Sequence, residues 1–240
     1  MNPSFPRLAG VELRKMVDTR AGFWLQLIVA VLTLAAVVLV CIFAPTDELV
    51  FRDLFALAIT PASILLPIVG ILLVSSEWSQ RTALITFTLV PQRMRVMSAK
   101  IAAGVALSLV VAALAFAVAV IANLAVGDEW TMGFAVFGQI VFLLLVAILS
   151  GIAFGAAFLS SAPAIVLSFA LPLAWSALSI IPWLDGPADW LDTTRTTAPF
   201  TEGVATATEW AQLGTSLALW LVLPLVIGLW RVARGEIRAA

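Results

Sequence analysis

Apolar residues in this chain come in long unbroken runs separated by short polar stretches. Six runs supply the ~20 residues that a helix needs to cross a bilayer. They are Phe23–Ala44, Leu54–Val74, Ile101–Val126, Phe134–Leu159, Ala164–Leu184 and Ala211–Trp230. None alternates apolar with polar residues as a membrane β-strand does. The pattern predicts an all-α membrane protein with six transmembrane helices in one domain over residues 1–240.

Ahead of the first run, residues 6–22 carry a different period. At about 100° per residue, Ala9, Leu13, Met16 and Val17 gather on one face, with Arg7, Arg14, Lys15 and Asp18 on or near the other. A helix of that kind lies in the headgroup plane rather than crossing it. The site residues expected of it are Leu13, Arg14, Lys15, Met16 and Val17. After the second run comes the basic interruption Ser76–Lys100. It sets Arg81, Arg93, Arg95 and Lys100 against one acid, Glu77, holds an apolar run Ala83–Val90, and is broken by Pro91.

Composition agrees with the runs. The chain is 62% hydrophobic and 11% charged, where soluble domains carry ~25% charged residues. Histidine is absent, which removes the commonest general base and metal ligand at neutral pH. The single cysteine, Cys41, lies in the first run and allows neither an internal disulfide nor a CxxC metal site.

Charge sets the orientation. With both termini inside, eleven of the thirteen Lys and Arg residues are cytoplasmic, and only Arg52 and Arg195 lie outside. That bias places the chain in an inner or plasma membrane as a multi-pass protein with both ends in the cytoplasm. Trp24 and Trp230 mark the inner interface and Trp130, Trp183, Trp190 and Trp210 the outer one, while Trp175 and Trp220 read as packing residues inside spans.

Pro61, Pro67, Pro172 and Pro224 each remove a backbone donor inside a span and predict kinks. Ala147, Gly151 and Gly155 recur every four residues in the fourth span, a spacing that lets two helices approach closely. The outer stretch 185–209 allows two readings: a short helix or re-entrant turn carried by Trp190, Leu191 and Phe200, or an irregular loop.

The spans hold little chemistry. No ionisable residue falls in the core of any of them, which argues against an ion-coupled carrier. The serines there have no base beside them, so nucleophilic catalysis lacks its partner. No GxxxxGK[ST] phosphate loop is present. The candidates for lining a transport path are the weakly polar Asn123, Gln139, Thr60 and Ser63, which suit a hydrophobic or amphipathic substrate better than an ion.

The basic interruption carries a resemblance. Glu77, Thr82, Leu89, Pro91, Arg93 and Lys100 follow the order seen after the second span in permeases of bacterial type-2 ABC exporters, with Arg81 where that pattern has glycine. The chain also resembles these permeases in length, span count and interfacial first helix. The resemblance implies a coupling helix within Glu77–Pro91, seated in a separate cytoplasmic ABC ATPase through Glu77, Arg81, Thr82, Pro91 and Arg93. It implies a second permease subunit, identical or a sister chain. It implies ATP and Mg on the partner ATPase and no cofactor on this chain, which would be a transport subunit for efflux rather than an enzyme. Membrane lipid is an expected partner and nucleic acid is not. The alternatives are a membrane scaffold or assembly factor without a transport path and, less favoured, an ion-coupled secondary transporter.

Overall fold

The computed structural model describes residues 4–43, 50–80, 82, 88, 91–126, 130 and 132–234. Arg81 and most of the run Ala83–Val90 lie outside the described residues, and with them most of the expected coupling helix. The described residues form helices and connections, with no strand among them. The amphipathic segment ahead of the first run forms α1 (Phe5–Asp18). Five spans follow: α2 (Arg20–Phe43), α3 (Phe51–Ser79), α4 (Arg93–Val126), α5 (Phe134–Phe158) and α6 (Ser161–Leu178). Three short helices, α7 (Asp185–Leu191), α8 (Thr193–Thr197) and α9 (Pro199–Glu202), precede the last span. That span is α10 (Ala207–Leu217), a π-helical turn Ala218–Val222, and α11 (Leu223–Arg234). Among the described residues six helices are thus long and apolar enough to cross a membrane, as in a multi-pass membrane protein.

The spans α3 and α5 make the centre. Leu66 on α3 and Ile148 and Ile152 on α5 are fully buried between them. The small-residue spacing in the fourth span serves this contact. A Cβ added to Gly151 would lie 2.1 Å from the Pro67 carbonyl oxygen, and one on Gly70 2.6 Å from that of Ile148. The two backbones therefore meet directly, which only glycine at both points permits. Near the start of α3, Phe55 stacks on Phe137 at 5.4 Å and both meet Phe116 edge-on. The first span, α2, is peripheral. Thr33 fastens it by donating to the Ala58 carbonyl of α3 at 3.0 Å.

Turns set the register of these helices. Thr19 ends α1 with extended backbone, and its hydroxyl accepts from Gly22 N–H at 3.1 Å to start α2. Between α5 and α6 the chain reverses through Leu159, whose φ of 53° is left-handed, a conformation uncommon for a residue with a Cβ. The π-helical turn lies just before Pro224, the residue whose missing N–H predicts a break in the last span.

Two expectations change. The interfacial helix ends at Asp18 rather than residue 22, and its buried stripe is Leu8, Glu12 and Met16. Val17 is exposed, because a charged residue, Glu12, takes the inward position by finding buried partners. Of the two readings left open for 185–209, the structure has the helical one, with α7, α8 and α9 inside the stretch. Asp192 caps α8 by accepting from Thr194 N–H at 2.7 Å, and Thr206 and Glu209 form a capping box that starts the last span at Ala207. Arg195 pairs with Asp185 and Asp189, and these exposed carboxylates hold its guanidinium protonated still more firmly than usual.

Candidate functional site

The densest polar chemistry lies where α1, the end of α3 and the start of α4 converge. Glu12 is on the inward stripe of α1, Glu77 in the last turn of α3, and Lys100 two turns into α4. Lys100 Nζ donates to Glu12 Oε2 at 2.7 Å, to Glu77 Oε1 at 3.0 Å and to the Leu73 carbonyl at 2.9 Å. All three of its protons are thereby used. Lys15 Nζ, from α1, donates to Glu12 Oε1 at 2.7 Å and Glu77 Oε1 at 2.8 Å. The four side chains close a ring in which each lysine bridges both glutamates.

The ring is charge-balanced and deep. Lys100 is 0% exposed, Glu12 1% and Glu77 5%, whereas Lys15 keeps 38% of its side chain exposed. Burying one of these charges alone would cost several kcal/mol. Mutual pairing and full use of the Lys100 protons make it tolerable. At Lys15, burial pushes the ammonium toward losing its proton. Hydrogen bonds to and charge from Glu12 and Glu77 outweigh that, so its pKa ends above the ordinary 10.5. Glu77 Oε2 has no hydrogen-bond partner among the described residues. Beside the ring lies a cavity of about 770 Å³ between α1 and α3, bordered by Glu12, Lys15, Arg20, Glu77, Gln80 and Thr82.

This geometry relocates several residues named from the sequence. Glu77 is inside the ring rather than on an open surface. Thr82 finishes α3, its N–H donating to the Glu77 carbonyl at 2.8 Å. Arg93 donates to the Val232 carbonyl at 3.0 Å and so ties the start of α4 to the end of α11. Arg231 likewise donates to the Ala157 carbonyl of α5. Pro91 is exposed just before α4. Ionisable residues do occur within buried helix turns, because α3 and α4 extend past the predicted spans to Ser79 and Arg93. They sit in terminal turns rather than at mid-span. Glu12 is the ring member that no sequence argument singled out. Its available signal was a glutamate at helical spacing between Leu8 and Met16, three residues before Lys15.

Of the four candidates for lining a path, two converge and two do not. Thr60 and Ser63 of α3 border a second cavity, of about 600 Å³, lined by residues of α3, α5, α6, α8, α9 and the last span. Asn123 is buried on α4, away from it. Gln139 is a clamp: its Nε2 donates to the Phe200 and Gly203 carbonyls at 3.2 and 2.7 Å, and its Oε1 accepts from Ala205 N–H at 3.0 Å. It thereby holds α9 and the following link onto α5, where Phe200 packs fully buried and edge-on to Trp210 at 4.7 Å. Trp220 does more than pack. Its indole donates to the Leu191 carbonyl at 2.8 Å while its ring borders the cavity.

Fold and site together define a polytopic α-helical membrane protein whose peripheral first helix is held to the bundle by a buried ring of four charges. Compared with protein-family models and with curated proteins, the chain matches none.

Proposed function

We propose that this chain is the permease subunit of an ATP-driven ABC exporter, working with a second permease and with separate cytoplasmic ATPase subunits. The observation that carries the proposal is the charged ring. The basic segment 76–100 begins at the end of α3 and runs into α4, and the ring joins those two helix ends to α1. A force applied to the segment by a docked partner would reach three helices at once. The chain itself has no phosphate loop, so the energy would come from that partner. The cavity bordered by Thr60 and Ser63 supplies space for an amphipathic cargo, of a size ordinary for a small-molecule site.

Glu77 and Arg93 are occupied within the fold, so they serve here as anchors of the segment. Docking falls to Arg81, Pro91 and their exposed neighbours such as Met94. The test is affinity purification of the tagged chain from mild-detergent extracts of its native membrane. A phosphate-loop ATPase should accompany it in stoichiometric amount and hydrolyse ATP faster in its presence. Arg81→Glu with Met94→Asp should abolish both effects and leave thermal unfolding of the permease unchanged. Absence of any such ATPase, or indifference to the double substitution, would defeat the proposal. Orientation has its own check. Thr194→Cys should react with an impermeant thiol reagent in intact cells and Ser98→Cys should not; the reverse pattern refutes the cytoplasmic assignment of the charged end.

A further inference from the structure

The 600 Å³ cavity has a wall chemistry that narrows its ligand. None of the described residues lining it is Asp, Glu, Lys or Arg. A charged group entering would give up its hydration with no counter-charge to meet it, a cost of several kcal/mol in a poorly solvated site. The polar atoms that are present also have a consistent sense. Thr60 donates its hydroxyl proton to the Ala56 carbonyl at 2.9 Å, Ser63 to Thr60 at 2.8 Å and Ser168 to Ile165 at 3.0 Å. Thr197 donates to the Thr193 carbonyl at 2.6 Å and Thr201 to that of Ala198 at 2.9 Å. The Trp220 indole proton is spent on Leu191. Each of these five hydroxyls keeps its oxygen lone pairs for a guest, while its proton is committed to its own helix. The other hydroxyls of the lining can turn to either role. The fixed polarity of the wall is that of a hydrogen-bond acceptor set among apolar side chains.

We infer that this cavity binds an uncharged amphiphile whose polar part carries several hydroxyl or N–H donors, in the manner of a sugar or polyol head on an apolar body. The guest enters from the bilayer. Ile64 and Phe169, on spans α3 and α6, line the cavity and are themselves exposed, at 53% and 39%. An apolar body is compatible with that mouth. The inference deepens the export proposal by naming its substrate class, and rests on that reading only for the statement that the guest is transported. Binding itself requires no ATPase.

The experiment uses the full chain in lipid nanodiscs and a dodecyl β-maltoside carrying a diazirine on its alkyl chain. Photolabel is expected on peptides containing Ser63 and Thr197. Unlabelled dodecyl maltoside should displace it at concentrations at least roughly tenfold below those needed for dodecyl sulfate or dodecyltrimethylammonium, which share its chain length. Thr197→Val, which keeps the shape and removes the acceptor, should weaken labelling about fivefold, the effect of losing one hydrogen bond of about 1 kcal/mol. The head-group series on the unaltered chain needs no substitution, so a variant that fails to fold leaves the test intact. Equal displacement by all three amphiphiles would show a non-selective lipid crevice and overturn the inference. Loss of ATPase co-purification with head-group selectivity retained would remove the transport proposal and leave the binding site standing.

Discussion

Replacing Lys100 with methionine removes a charge while keeping most of the apolar stem. Two carboxylates then lose a donor, at 2.7 and 3.0 Å, and the Leu73 carbonyl loses one at 2.9 Å. The ring passes from balanced to one net negative charge. Lys15, the sole remaining cation, is 38% exposed and reaches both glutamates from the solvent side. Hydrogen bonds to charged groups contribute about 1.5–3 kcal/mol each, and methionine returns part of that through packing. Removing one member of a buried ion pair costs ~3–5 kcal/mol, mostly as the penalty on the charge left behind. We expect Lys100→Met to destabilise the chain by about 3–5 kcal/mol. Tryptophan fluorescence during unfolding in mixed micelles of rising dodecyl sulfate fraction would measure it, with hydrogen exchange at residues 5–18 showing release of α1. The double variant Glu12→Gln/Lys100→Met takes one charge of each sign and leaves Lys15 with Glu77. It should be less destabilised than the sum of its singles by at least ~2 kcal/mol. A single variant within about 1 kcal/mol of the parent, or strict additivity in the cycle, would refute the ring as a structural strut.

How legible was this in the sequence? The spans were, because a bilayer demands unbroken apolar runs and the chain supplies six. The close contact of α3 and α5 was half legible: the spacing of Gly151 and Gly155 announces a helix neighbour, but its identity required Gly70 and Pro67 to be seen opposite. The ring was not. Glu12 and Lys100 are 88 residues apart and Lys15 and Glu77 are 62 apart, and periodicity reports only on neighbours along one helix. An amphipathic projection also assigns charged residues outward by default, which is how Glu12 escaped notice while Val17 was placed inward. The helical segment 185–209 was half legible: Trp190, Leu191 and Phe200 allowed a short helix or turn but did not decide it against a loop, and the caps at Asp192 and at Thr206–Glu209 were not read. What seats it is tertiary: the amide of Gln139 reaching across from α5. A lone polar residue in a span says that a partner exists without saying which one.

The remaining predictions concern the interhelix contact, the Gln139 clamp and the exposed lysine. Gly151→Val pushes a branched side chain into the Pro67 carbonyl and should separate α3 from α5, costing upward of ~1–3 kcal/mol. The same unfolding measurement checks it, and a neutral result would mean that the backbones are not in contact. Gln139→Leu deletes three bonds, one to Phe200 in α9 and two to the link after it, and should raise hydrogen exchange and protease cutting within residues 198–206 about tenfold, at about 1–1.5 kcal/mol. Unchanged protection there would show that Phe200 alone holds the segment. The sign of the pH effect at Lys15 follows from its raised pKa. A lysine held above its unfolded value contributes stability that is fully present below that value, 10.5, and is lost as pH rises through the folded pKa. The gap in stability between the parent and Lys15→Met should therefore stay constant from neutral pH to about pH 10 and close only above it. Lys15 is over a third exposed, so solvent screening keeps that gap to about 1 kcal/mol. A gap that narrowed between about pH 6 and 9 would instead refute the assignment of this stability to the Lys15 ammonium.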